Sequence, residues 1–265
     1  MTTTLPIQRE QHAAGVTPVP LARVVRVELR KMFDTRSGFW LMASIVITAL
    51  VTMVGTVLFA PDDALTYYTF AKAIGFPMTI VLPMIAILSI TGEWSQRTGL
   101  TTFTLVPHRR RVLLAKAISS IVVGVGAMLF ALAVGVLGNV VGTAIAGTDL
   151  VWDVSAAEVV NIVLGSLLCL LTGTMLGMLI RSSAGALVAY FVMALVFPTI
   201  AGILSASEKG FRDIQPWVDA NWARSFLFEG TPTAEQWTQI GVTTAVWLVL
   251  PALLGLRLVM RSEVK

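Results

Sequence analysis

The chain has 265 residues, of which 56% are hydrophobic and only 13% charged, with a mean hydropathy of +0.82 and a formal net charge of +4. Soluble proteins carry about 25% charged residues. So little charge cannot cover a water-facing globule of this size, which excludes a soluble enzyme and turns the surplus apolar surface toward lipid. The single cysteine, Cys169, lies inside an apolar run, which excludes an intrachain disulfide and a cysteine-built metal site.

Residues 1–20 read as a flexible polar leader with Pro6, Pro18 and Pro20. They lack the short apolar stretch of an export signal, so the expectation is an unprocessed chain whose first span directs insertion. From Leu21 to Phe33, a wheel at 100° per residue puts Leu21, Val24, Val25, Leu29 and Met32 on one face. Arg23, Arg26 and Arg30 lie on the other, with Lys31 extending the basic set. Glu28 falls near the apolar side and interrupts the pattern. This predicts an amphipathic helix over 21–36 in the plane of the headgroups, ended by Arg36, Ser37 and Gly38.

A bilayer core about 30 Å thick needs about 20 apolar residues in a helix. Six runs meet this, at 38–60, 73–92, 112–146, 159–180, 184–206 and 238–260. They form a six-span transmembrane domain over 38–260, followed by a tail at 261–265. The third run would reach about 50 Å if helical throughout, so it must tilt, break or protrude, and its glycines offer flexible points. Gly138 with Gly142, and Gly173 with Gly177, have the spacing that lets helices approach closely. Packing within the chain is favoured for these over a contact between subunits.

Lysine and arginine concentrate on the cytoplasmic side of a membrane protein. With the N-terminus inside, the outer segments hold only Lys72, Lys209, Arg212 and Arg224, and every other basic residue is cytoplasmic. Both termini are therefore expected inside. Topology accounts for the basicity without nucleic acid.

The stretch from Thr91 to Lys116 is the most informative. Glu93 closes the second span, and Arg97, four positions on, is its nearest local partner. Small polar residues Thr98, Thr101, Thr102 and Thr104 follow. Then come Leu105, the helix-interrupting Pro107, and the cluster Arg109, Arg110 and Arg111. A plain basic stop-transfer loop explains the arginines but not the threonine series. Farther on, 207–237 mixes Glu208, Asp213, Asp219, Glu229 and Glu235 with Trp217, Trp222, Phe226, Phe228 and Trp237. That composition fits short helices half sunk in the outer headgroup region, or an interfacial loop anchored by tryptophan.

Several chemistries are missing. No phosphate-binding G-x-x-x-x-G-K-[ST] motif occurs, so ATP, if used, is handled by another polypeptide. Lys72, Glu93, Glu158 and Arg181 sit near span ends, which disfavours a gradient-driven carrier. His12 and His108 lie outside the spans, and Ser166 and Ser182 fit no nucleophile pattern, so the chain is not expected to be an enzyme.

The order Glu93, Thr98, Thr102, Thr104, Leu105, Pro107, Arg110, Leu114, Ala115 and Lys116, within this six-span layout, resembles permease subunits of the ABC type-2 exporter family. The resemblance covers essentially Leu21 to Arg261. It implies a cell-membrane permease paired with a second copy or close relative and with two separate ATPase subunits that bind ATP and Mg, no cofactor being held by this chain. It also implies a coupling helix between Glu93 and Pro107 that docks on the ATPase, and an outer segment that helps close the pathway. By the same analogy spans one, two and five face the pathway. Pro77, Pro83 and Pro198 supply kinks there, and Phe76, Met84 and Phe197 are lining candidates. A cavity walled by Met, Phe, Leu and Val without fixed charge suits a drug, lipid or peptide. The alternatives are a non-transporting scaffold or sensor that recruits a cytoplasmic partner and, behind it, the carrier.

Overall fold

The computed structural model of the chain describes residues 19–95 and 109–261, excluding the side chains of Ser37, Glu93, Trp94, Ser95, Arg109 and Arg261. Among the described residues there are helices and no strand. In chain order they are α1 (Leu21–Asp34), α2 (Arg36–Phe59), a 3-10 turn (Asp62–Ala64), α3 (Tyr67–Ser95), α4 (Arg109–Ala146), α5 (Ala156–Ile180) and α6 (Ser183–Phe191). A π-helical turn (Val192–Val196) joins α6 to α7 (Phe197–Ser207), and then come α8 (Lys209–Val218), α9 (Ala220–Ser225) and α10 (Ala234–Thr244). A second π turn (Ala245–Val249) leads into α11 (Leu250–Arg261).

Six stretches are long and apolar enough to cross a membrane: Gly38–Phe59, Tyr67–Gly92, Arg110–Ala146, Ala156–Ile180, Ser183–Ser207 and Ala234–Met260. They coincide with the six expected runs. The largest difference is the second, which starts at Tyr67 because the helix runs through Lys72. That ammonium stays exposed and lies 5.4 Å from the Tyr68 ring centroid, so the charge sits at the rim of the span without ending it.

Local chemistry sets the helix ends. Thr35 accepts from the Gly38 N–H at 3.1 Å and starts α2. Ser155 with Glu158 and Thr233 with Gln236 form capping boxes at the starts of α5 and α10. The long third run does not break: α4 is one 38-residue helix. It stops where Gly147 turns left-handed at φ 69°.

The core belongs to α3, α4 and α5. Their apolar windows are 50%, 50% and 56% buried, against 11% for α2 and 6% for Ser183–Ser207, which places those two on the outside. The central cluster joins Ile74, Met78, Leu82 and Ile85 of α3 to Val123, Met128 and Val134 of α4 and Leu170 of α5. Since lipid is as apolar as these side chains, association depends on close fit and internal hydrogen bonds.

The paired glycines supply the fit within the chain. A Cβ on Gly138 would meet Phe70 at 2.6 Å and Met53 at 2.8 Å, and one on Gly173 would meet the Pro83 carbonyl oxygen at 2.5 Å. α5 thus touches α3 at its interior proline. Pro83 lacks an N–H, which leaves the Thr79 carbonyl without its helical donor. The Tyr190 hydroxyl of α6 donates to that carbonyl. The proline position is sealed by α5 on one side and α6 on the other.

Gly173→Leu should force α5 off α3 and lower the thermal stability of the detergent-solubilised protein, overpacking costing about 1–3 kcal/mol. Gly126→Leu, at a site with nothing within 4 Å of the added Cβ, should leave the melting temperature nearly unchanged. Equal melting of the two variants would remove the close α3–α5 contact from the account.

Candidate functional site

Helix α1 ends at Asp34 and the break falls at Thr35, so Arg36, Ser37 and Gly38, expected to end it, instead open α2. Val24, Glu28 and Met32, spaced four apart, form the buried edge of α1, while Arg23, Arg26, Arg30 and Lys31 are exposed. Glu28 lies on the packed side because it has partners there. One carboxylate oxygen accepts from Lys116 Nζ of α4 at 2.7 Å, and the other accepts from Lys31 Nζ at 2.7 Å. The Glu28 and Lys116 side chains are only 4% and 5% exposed.

Lys116 also donates to the Ser89 carbonyl of α3 at 3.1 Å, so a single ammonium ties α1, α3 and α4 together. Two more contacts reach this region from α4: Ser119 Oγ donates to the Val25 carbonyl of α1 at 3.2 Å, and Arg111 Nη1 donates to the carbonyl of Val19, just before α1, at 3.4 Å. Two residues on from Ser89, Thr91 Oγ1 and Ser183 Oγ share a hydrogen bond of 2.7 Å, joining α3 to the start of α6. Gly255 of α11 packs against Met178 and Leu179 near the end of α5, at this same end of the bundle. The result is a junction where α1 meets the two helices that flank residues 96–108.

Burial alone would raise the Glu28 carboxyl. The adjacent Lys116 ammonium and the hydrogen bonds from Lys116 and Lys31 outweigh it and hold the group below its ordinary value of 4.5. Because the folded carboxyl is the stronger acid, its stabilisation is complete above pH 4.5 and is lost as pH falls through the lower folded value. The exposed Arg30–Asp34 pair, 2.9 Å apart, adds little by comparison.

Of the coupling-loop residues, Arg97, Thr98, Thr101, Thr102, Leu105 and Pro107 lie outside the described residues. Glu93 is on the last turn of α3, two residues before its end at Ser95, and its side chain lies outside the described ones. Of the lining candidates, Phe76 is 68% exposed, Phe197 is 44% exposed and Met84 is half-buried. A small notch mid-way along the spans, lined by Leu168 and Thr172 of α5 and by Arg224, includes none of the three. Ser166 spends its hydroxyl on the Ile162 carbonyl at 2.9 Å, and among the described residues no three His, Cys, Asp or Glu side chains gather to hold a metal.

Sequence reasoning missed Glu28–Lys116 and Arg224. The only local signal for the first was a carboxylate on an otherwise apolar helix face, which asks for a buried cation. Compared with known proteins, the chain matches no family model and no curated protein.

Glu28→Gln leaves Lys116 buried without this carboxylate, a type of loss that costs about 3–5 kcal/mol. The melting temperature at neutral pH should fall, and the double variant Glu28→Leu with Lys116→Met should recover most of it. Acid titration should destabilise the wild type below pH 4.5 and affect Glu28→Gln less. A single variant as stable as the wild type at neutral pH would contradict the structural role of the pair.

Proposed function

We propose that the chain is the membrane-spanning permease subunit of an ATP-driven exporter of the ABC type-2 kind, resident in the cell membrane with both termini cytoplasmic. It works with two separate ATPase subunits and a second permease copy or close relative, and it moves a hydrophobic or amphipathic compound outward. The observation that carries this reading is the buried Glu28–Lys116 pair, which fastens α1 to the stem of the α3–α4 hairpin. Work delivered to the loop at 96–108 would reach α1, α3 and α4 as one unit, because their common joint is a buried ion pair and not a compliant surface contact.

On this reading α1 lies at the inner membrane surface. Arg23, Arg26 and Arg30 face water and anionic headgroups, and the Glu28 edge faces the bundle. The loop that begins at Glu93 docks on the ATPase, where Arg97, Thr98, Thr101, Thr102, Leu105 and Pro107 supply the contact. ATP and Mg are bound by the partner.

The test is reconstitution of the chain with the ATPase encoded beside it. ATP-dependent efflux of an apolar dye from vesicles is expected. Glu93→Ala or Arg97→Ala should lower the coupled ATPase rate while insertion is unchanged. Absence of any co-purifying ATPase would favour the scaffold, and efflux driven by a pH gradient without ATP would favour the carrier; either result contradicts the proposal.

A further inference from the structure

Half-way through the bundle, a buried cation lacks a counter-ion. The segment between spans five and six reaches inward: its Asn221 donates to the Met193 carbonyl at 2.8 Å, and its Val218 carbonyl accepts from the Trp247 indole N–H at 2.8 Å. Met193 and Trp247 stand near the middles of Ser183–Ser207 and Ala234–Met260. Arg224 of α9 is carried in with them and is 8% exposed. Its Nε donates to the Ala220 carbonyl at 2.9 Å. Its Nη1 donates to Thr172 Oγ1 at 3.2 Å and to Cys169 Sγ at 3.7 Å, both on the middle turns of α5. The two N–H groups of Nη2 have no partner among the described residues, and no carboxylate there lies within ion-pairing distance of the guanidinium. A guanidinium does not escape burial by losing its proton. At this depth its charge asks for an opposite charge.

The surroundings limit what that charge can be. Arg224 lines a small notch between α5 and the sixth span. Two hydroxyls there are already committed, Thr172 to the Leu168 carbonyl at 2.9 Å and Thr243 to the Gln239 carbonyl at 2.8 Å. Thr244 also lines the notch, and its hydroxyl has no partner among the described residues, which leaves it and Nη2 as donors for a ligand. The notch has room for about one water molecule. That size excludes a carboxylate- or phosphate-bearing ligand. A water itself would fit but would leave the guanidinium uncompensated. A monatomic anion meets both requirements.

We propose that Arg224 holds a single halide ion, chloride in the cell, in this notch. Nη2 and the Thr244 hydroxyl donate to the ion, and Leu168 and Leu248 enclose it with hydrocarbon. The pair is neutral as a whole, which lets α9 keep a guanidinium at mid-depth between α5 and the sixth span. The site does not depend on the transport reading.

The test uses the full chain in neutral detergent, with chloride exchanged for gluconate at constant ionic strength so that general screening is unchanged. Gluconate is too large for the notch. Chloride and bromide should raise the melting temperature of the wild type in a saturable way, relative to gluconate. Arg224→Met should melt at the same temperature in all three salts. Thr244→Val, which leaves Arg224 and its packing untouched, should need about tenfold more chloride for half of the effect, so a folding defect in Arg224→Met does not decide the matter. In crystals grown in bromide, anomalous density should lie beside Nη2. Identical melting of the wild type in chloride and gluconate would overturn the proposal, as would a halide effect of unchanged size and midpoint in both variants. So would density beside Nη2 without bromide's anomalous signal, since the occupant would then be water.

Discussion

Two opposite charges in an apolar bundle can be buried only together, and the meeting of Glu28 with Lys116 at 2.7 Å determines how one end of this molecule is built. Pairing lets α1 turn a carboxylate inward, and that inward edge seats the helix against α4. Lys116 reaches Ser89 as well, so the same ammonium fixes the relative position of α3 and α4 just before the chain leaves both helices. Hydrophobic burial is a weak discriminator between helix neighbours where the solvent is hydrocarbon. Directional polar contacts are then what select one arrangement, and this junction concentrates them.

The rest of the bundle follows the same economy of polar groups. Prolines free backbone acceptors, and neighbouring helices satisfy them: Tyr190 serves the Thr79 carbonyl exposed by Pro83. Asn221 serves the Met193 carbonyl at 2.8 Å, in the π turn just before Pro198. The second π turn likewise precedes a proline, Pro251. In both places the wider turn accommodates a residue that cannot donate, and in the first a side chain from the segment between spans five and six closes the gap. On the proposed reading, these are the positions where span two and span five can bend without exposing backbone to lipid.

The six spans were legible because uncharged apolar runs of bilayer length have few other uses. The glycine pairs at 138 and 142 and at 173 and 177 were legible as sites of close approach, and they pack within the chain. Legibility ended where the partner is remote. Glu28 looked like a flaw in an amphipathic helix because Lys116 lies 88 residues away. Arg224 looked like one more loop charge, since nothing local says that α9 folds back against Cys169 and Thr172. Of the three ways open to the long third run, to tilt, break or protrude, breaking does not occur, because packing against α3 and α5 supports a helix that its glycines alone would weaken. The start of α3 was set too late because Lys72 was read as the edge of an apolar run, and a long side chain at a span end does not enforce an edge.

The account requires the Glu28–Lys116 junction to face the cytoplasm, where a hydrolysing partner is available. Cysteine labelling in intact cells tests this most directly. In a Cys169→Ser background, Arg110→Cys should resist a membrane-impermeant maleimide until the cells are broken, while Asp213→Cys, on the segment between spans five and six, should react at once. The reverse pattern, with Arg110→Cys labelled from outside, would put the junction on the wrong face of the membrane and contradict the account.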